Sequence, residues 1–90
     1  MPVVWVPAPL RGLTNGRETL TVRGATVGEV IDELEHRHPG LRARLCDGDR
    51  LRPGVAVAVG TELARLGLRQ PVGPESEVHF LPAVSGGTAS

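Results

Sequence analysis

Apolar residues recur at two different spacings along this chain, and the change of spacing marks its elements. Val3-Val4-Trp5-Val6 is a β-branched and aromatic run closed by Pro7 and Pro9, and it predicts a first strand. Glu18-Thr19-Leu20-Thr21-Val22-Arg23 alternates polar and apolar side chains, as a strand with one buried face does. Gly12 and Asn15-Gly16 between them signal a turn, so the two runs predict a hairpin. After Gly24 the period becomes helical. Val27, Val30, Ile31 and Leu34 fall on one face. Thr26 and Glu29 have the spacing of a capping box, in which the hydroxyl takes the N3 amide and the carboxylate reaches back. Acids lead this segment, Arg37 and His38 close it, and Pro39-Gly40 stops it, a polarity that suits the helix dipole. A helix over 27–37 follows, and burial of each apolar side chain on it contributes at most about 1.5–3 kcal/mol.

Leu41 to Leu45 predicts a short helical turn tucking in both leucines, and Asp47-Gly48-Asp49 predicts a loop. Val55-Ala56-Val57-Ala58-Val59 is a strand between Pro53-Gly54 and Gly60, the segment 63–68 reads as either a short strand or a turn, and 71–74 is loop. Glu77 to Pro82 is the last strand. The order β, β, α, β, short β, β makes an α+β domain over 1–82, with a flexible tail over 83–90. Alternation assigns faces. With Val4 and Val6 toward the helix, Val3 and Trp5 fall on the open face of the sheet. Val78 and Phe80 then point in, His79 and Leu81 point out, and Ala56 and Ala58 lie on the open face. Trp5, His79 and Leu81, over the alanines, form a candidate partner-binding surface. The other reading of Trp5 places it in the core or under a loop.

Composition narrows the function. Ninety residues make one small domain with a limited core. Cys46 is the only cysteine, which fits a reducing compartment and excludes a disulfide scaffold or a four-cysteine metal site. All ten bases are Arg, the usage of a GC-rich genome, so no lysine can form a Schiff base or accept an isopeptide bond. Zero formal charge and only Trp5 and Phe80 as aromatics argue against nucleic-acid binding. Neither a signal peptide nor a membrane-spanning run is visible, which predicts a cytoplasmic protein without membrane contact.

The candidate chemistry is sparse. His36 and His38 stand two apart on a helix, face different ways, and match no zinc spacing with Cys46. Asp47-Gly48-Asp49 lacks the later ligands of a calcium loop, and Gly12 to Gly16 lacks the lysine of a phosphate loop. Cys46 reads as a small apolar residue rather than a nucleophile. No metal, no cofactor and no enzymatic activity are expected. What remains is Gly86-Gly87, just past the last strand. Two glycines give a backbone that threads a narrow active site where a branched residue would clash. Chemistry there would fall on the chain's own carboxyl, but Thr88-Ala89-Ser90 follow, so the Gly87 carboxyl is an amide.

Two strands, one capped helix, further strands and a Gly-Gly tail resemble the ubiquitin-like β-grasp fold, a mixed sheet of about five strands packed on one helix. Leu81-Pro82-Ala83-Val84-Ser85-Gly86-Gly87 is similar to the tail of the prokaryotic sulfur-carrier family; Val6-Pro7-Ala8-Pro9-Leu10-Arg11 and Thr26-Val27-Gly28-Glu29-Val30 carry the likeness elsewhere. That family includes the thiamine-pathway carrier, the small subunit of molybdopterin synthase and the carrier of cysteine biosynthesis, whose tail this one most resembles. The resemblance implies an activating enzyme that uses ATP to adenylate the glycine carboxylate. A sulfur nucleophile then displaces AMP and leaves a thiocarboxylate for a sulfur-accepting biosynthetic enzyme. Gly87 would be the reacting residue, with Gly86 and Ser85 as the slim tail behind it. Family members commonly stop at the second glycine. Some carry extra residues that a metallopeptidase removes, which would make Gly87–Thr88 the processing site. The alternatives for the extension are a cloning remnant or an inactive paralogue. The alternatives for function are a molybdopterin synthase subunit or a ubiquitin-like protein modifier.

Overall fold

The computed structural model describes residues 1–82. Its elements are β1 (Val3–Trp5), a 3₁₀ helix (Ala8–Thr14), β2 (Thr19–Thr21), α1 (Val27–Arg37) and α2 (Leu41–Leu45). They continue with β3 (Cys46–Asp47), β4 (Arg50–Leu51), β5 (Val55–Val59), β6 (Glu62–Leu63), a second 3₁₀ turn (Gly67–Arg69) and β7 (Glu77–Pro82). Five strands form one sheet in the order β2-β1-β7-β5-β6. β1 runs parallel to β7 and the other neighbours are antiparallel, so the sheet is mixed.

The core lies on one face of this sheet. Val27, Val30, Ile31 and Leu34 of α1 are buried in one cluster with Val4, Leu20, Val57, Val78 and Phe80 of the strands, and Leu41 and Leu45 of α2 join it. The predicted helical face is thus the buried one. Its capping box is formed: Thr26 Oγ1 accepts from the Glu29 amide at 3.2 Å, and Glu29 Oε1 accepts from the Ala25 amide at 2.9 Å. At the other end, the Glu35 carboxylate accepts from the amides of Gly40 (3.1 Å) and Arg42 (2.8 Å), satisfying the open N-terminus of α2. Gly28 lets α1 lie close to the second 3₁₀ turn, for a β-carbon there would stand 3.2 Å from the Leu68 carbonyl oxygen.

Three local readings gain detail. The turn at Asn15-Gly16 is present, with φ of 57° and 83°, but a 3₁₀ helix over Ala8–Thr14 leads into it. Pro7 precedes this helix with φ of −59°, Arg11 donates from Nε to the Val6 carbonyl at 3.0 Å, and the wholly buried Thr14 hydroxyl donates to the Arg17 carbonyl at 2.9 Å. The prolines and these back-bonds favour a tight helical path over a free loop. In Asp47-Gly48-Asp49 the exposed Gly48-Asp49 is a turn as expected, and it closes a small hairpin in which Cys46 pairs with Leu51 and Asp47 with Arg50. The ambiguous segment 63–68 is divided. Leu63 ends β6, which pairs with β5, and the 3₁₀ turn begins at Gly67.

Candidate functional site

The candidate partner-binding residues Trp5, His79 and Leu81 lie on the face of the sheet turned away from α1. Register places Thr19 opposite Trp5, Trp5 beside His79, His79 opposite Ala58 and Ala58 opposite Leu63, a single row crossing all five strands. In the next row along β7, Leu81 stands opposite Ala56. Trp5 is 37% exposed, Leu81 41% and Leu63 63%, while the two alanines are half-buried. Small residues on β5 thus leave a shallow floor between larger apolar groups. Such an unpartnered apolar surface is typical of an interaction face.

The indole is fixed in place by its strand neighbour. Trp5 and His79 rings stack with centroids 5.3 Å apart and planes 9° from parallel. Trp5 Nε1 also donates to Glu77 Oε1 at 3.2 Å. A bulky aromatic whose orientation is already set loses little entropy on binding, which favours it as an anchor. The core reading of Trp5 is overturned, since alternation gives the inward positions of this segment to the buried Val4 and Val6.

Trp5, His79 and Leu81 therefore lie together on one face. Leu63 belongs with them and was missed. Its segment is too short to show a period, and only the pairing of β6 with β5 reveals that it continues the row. Ser85, Gly86, Gly87 and Thr88 lie outside the described residues. β7 leads directly to them, because Pro82, its last residue, immediately precedes Ala83.

Other reactive groups are quiet. Cys46 is buried at 5% exposure, and burial pushes its thiol pKa up, with Arg42 opposing and Asp32 adding to the rise. That is the reverse of what an activated thiolate needs. Among the described residues, no three or more His, Cys, Asp or Glu side chains are grouped to hold a metal ion, and no buried side-chain nitrogen or oxygen lacks a hydrogen-bond partner. No helix among them is long and apolar enough to cross a membrane.

A mixed five-stranded sheet wrapped on one capped helix, with an apolar open face, defines a β-grasp domain of the ubiquitin-like type. The chain belongs to the ThiS family, whose model matches residues 4–87. It is 35% identical over 89 residues to the sulfur carrier protein CysO of Mycobacterium tuberculosis, covering 93% of this chain and 96% of the relative. Among solved structures, the Amycolatopsis orientalis BexX/CysO complex matches with a TM-score of 0.89 and 38% identity, over 97% of this chain and 100% of the matched one. SAMP1 from Haloferax volcanii matches with a TM-score of 0.75 and 30% identity, over 96% and 98%. The CysO relatives are small ubiquitin-like carriers rather than catalysts.

Proposed function

We propose that this chain is a cytoplasmic sulfur carrier whose Gly87 carboxylate, freed by removal of Thr88, Ala89 and Ser90, is activated and converted to a thiocarboxylate. The observation that carries this reading is the place of β7. The same strand presents His79 and Leu81 on the open face and runs into the segment that holds Gly86-Gly87. Docking of the face therefore delivers the tail. The family match supports the reactive end, since it runs to Gly87 and leaves residues 88–90 outside it.

The chemistry is acyl transfer. A carboxylate is a poor acyl donor. Attack of its oxygen on the α-phosphorus of ATP releases pyrophosphate and makes a mixed anhydride with AMP. Hydrosulfide then adds to the Gly87 carbonyl carbon and expels AMP, and loss of its proton leaves the C–S bond of a thiocarboxylate. The enzyme supplies the acid, base and metal functions. The carrier supplies position: a compact body held by Trp5, His79 and Leu81, and a tail without β-carbons at its tip. The sulfur then passes to an acceptor enzyme in the biosynthesis of cysteine or another sulfur metabolite. Before any of this, a metallopeptidase must hydrolyse the Gly87–Thr88 bond.

Intact mass after incubation with ATP, the genomic partner activating enzyme and a sulfur donor tests the reading. A chain ending at Gly87 is expected to exchange one oxygen for one sulfur, and the full-length chain to stay unchanged. Sulfur gain at Ser90 without cleavage would refute processing, and an unmodified Gly87-ending chain would refute the carrier assignment. A second reading, a ubiquitin-like modifier joined to other proteins through Gly87, is favoured by the likeness to small archaeal modifier proteins. It predicts covalent adducts of higher mass instead of a thiocarboxylate.

A further inference from the structure

A groove of about 250 Å³ opens beside the end of β7. Pro7, Leu10, Leu45, Val55 and Leu81 wall it, and the exposed Arg44 stands on it. We propose that this groove is a second contact for the activating enzyme, taking an apolar side chain of the enzyme next to a carboxylate that pairs with Arg44. The proposal rests on the carrier reading above, and three observations support it.

The first is reach. Residues 83–87 span at most about 17 Å when fully extended. An active site holding Gly87 must therefore lie within that distance of Pro82. Pro82 pairs with Val55, itself a wall of the groove, so the groove lies within reach of an enzyme surface that takes the tail. The second is continuity. Leu81 lies on the open face opposite Ala56 and also walls the groove, so face and groove form one surface bent around the end of the sheet. The third is charge. The ion pairs among the described residues engage Arg37 with Glu33 and Arg42 with Asp32, and none engages Arg44. An exposed guanidinium at the edge of an apolar slot selects a partner carboxylate and steers its approach.

Binding of the Gly87-ending chain to its genomic activating enzyme tests this, with sulfur gain by mass measured in parallel. Two variants address the groove. Arg44→Glu reverses the charge, and Gly54→Trp fills the mouth. Gly54 lines the groove, and a β-carbon there meets nothing within 4 Å, so the new side chain starts in open space. Each variant is expected to bind about ten-fold more weakly, with slower association and a flatter salt dependence for Arg44→Glu. Both should still gain sulfur at saturating enzyme, because the chemistry is the enzyme's. Wild-type affinity in both variants, with normal sulfur gain, overturns the groove contact and leaves the carrier reading intact. A loss traced by sedimentation to disrupted self-association would assign the groove to a second copy of this chain and overturn the proposal. Absence of sulfur gain by the unmodified Gly87-ending chain overturns the carrier reading and the groove's role with it.

Discussion

A β-carbon on Gly24 would stand 2.8 Å from Val30 Cγ2 and 2.8 Å from the Val30 backbone nitrogen. Gly24 has φ of +154° and joins β2 to the entry of α1, while Val30 is wholly buried in the core. Neither the valine nor the helix backbone can give way without opening that core. Gly24→Ala is therefore expected to destabilise the domain by about 1–3 kcal/mol in urea unfolding. Gly54→Ala, where a β-carbon meets nothing, should stay within about 0.5 kcal/mol of the parent. Equal stability of the two variants would contradict the close approach.

Trp5 is held on the surface of the sheet rather than in the core. Its ring rests on His79 and its nitrogen on Glu77, and more than a third of it faces out. Trp5→Ala should weaken binding to the activating enzyme by about 1–2 kcal/mol, close to ten-fold in Kd, with cooperative unfolding retained. Severe unfolding without a separate binding defect would assign the indole to stability instead.

Leu63 supplies an independent check of the open face. At 63% exposure it carries little of the core, yet it ends the row that begins at Thr19. Leu63→Asp should leave the melting temperature nearly unchanged and weaken enzyme binding, measured by calorimetry on the Gly87-ending chain. Full affinity in this variant would confine the footprint on the open face to β1 and β7.

The buried thiol of Cys46 gives a pH signature. Burial raises its pKa in the folded chain above the unfolded value of about 8.5. The folded state then keeps a proton that the unfolded state releases. Its stability contribution is complete below the unfolded pKa and is lost as pH rises through the folded one. Unfolding free energy should fall on going from about pH 8 to pH 10, and Cys46→Ala should flatten that slope. A thiol-reactive disulfide reagent at pH 8 should modify Cys46 slowly in the native chain and rapidly in denaturant.

At the tail, Gly87→Ala in a chain ending at residue 87 adds one methyl where the path is suited to glycine. Sulfur gain with the matched activating enzyme should be impaired while binding through the open face is kept. Unimpaired sulfur gain would show that the enzyme does not read the tip sterically.

Much of the domain is written locally. Val27, Val30, Ile31 and Leu34 define one helical face and Thr26 with Glu29 its start, so α1 follows from neighbours within a few turns. Glu77–Pro82 alternates strongly enough to give both the strand and its two faces, so the outward positions of His79 and Leu81 were legible before any pairing was known. Gly86-Gly87 was legible too, because the chemistry it suggests depends on two adjacent residues without side chains. Alternation, however, says which face of a strand is apolar and nothing about which strand lies beside it. Trp5 and Glu77, seventy-two positions apart, meet because β1 lies between β2 and β7 and runs parallel to β7, and long-range burial against α1 selects that arrangement. The same selection joins Leu63 to the row, folds Cys46 and Leu51 into a hairpin, and brings Pro7, Arg44 and Leu81 around one groove. Secondary structure and candidate chemistry came from contacts short in sequence, whereas the shape of the open face was decided by the packing of distant segments on a shared core.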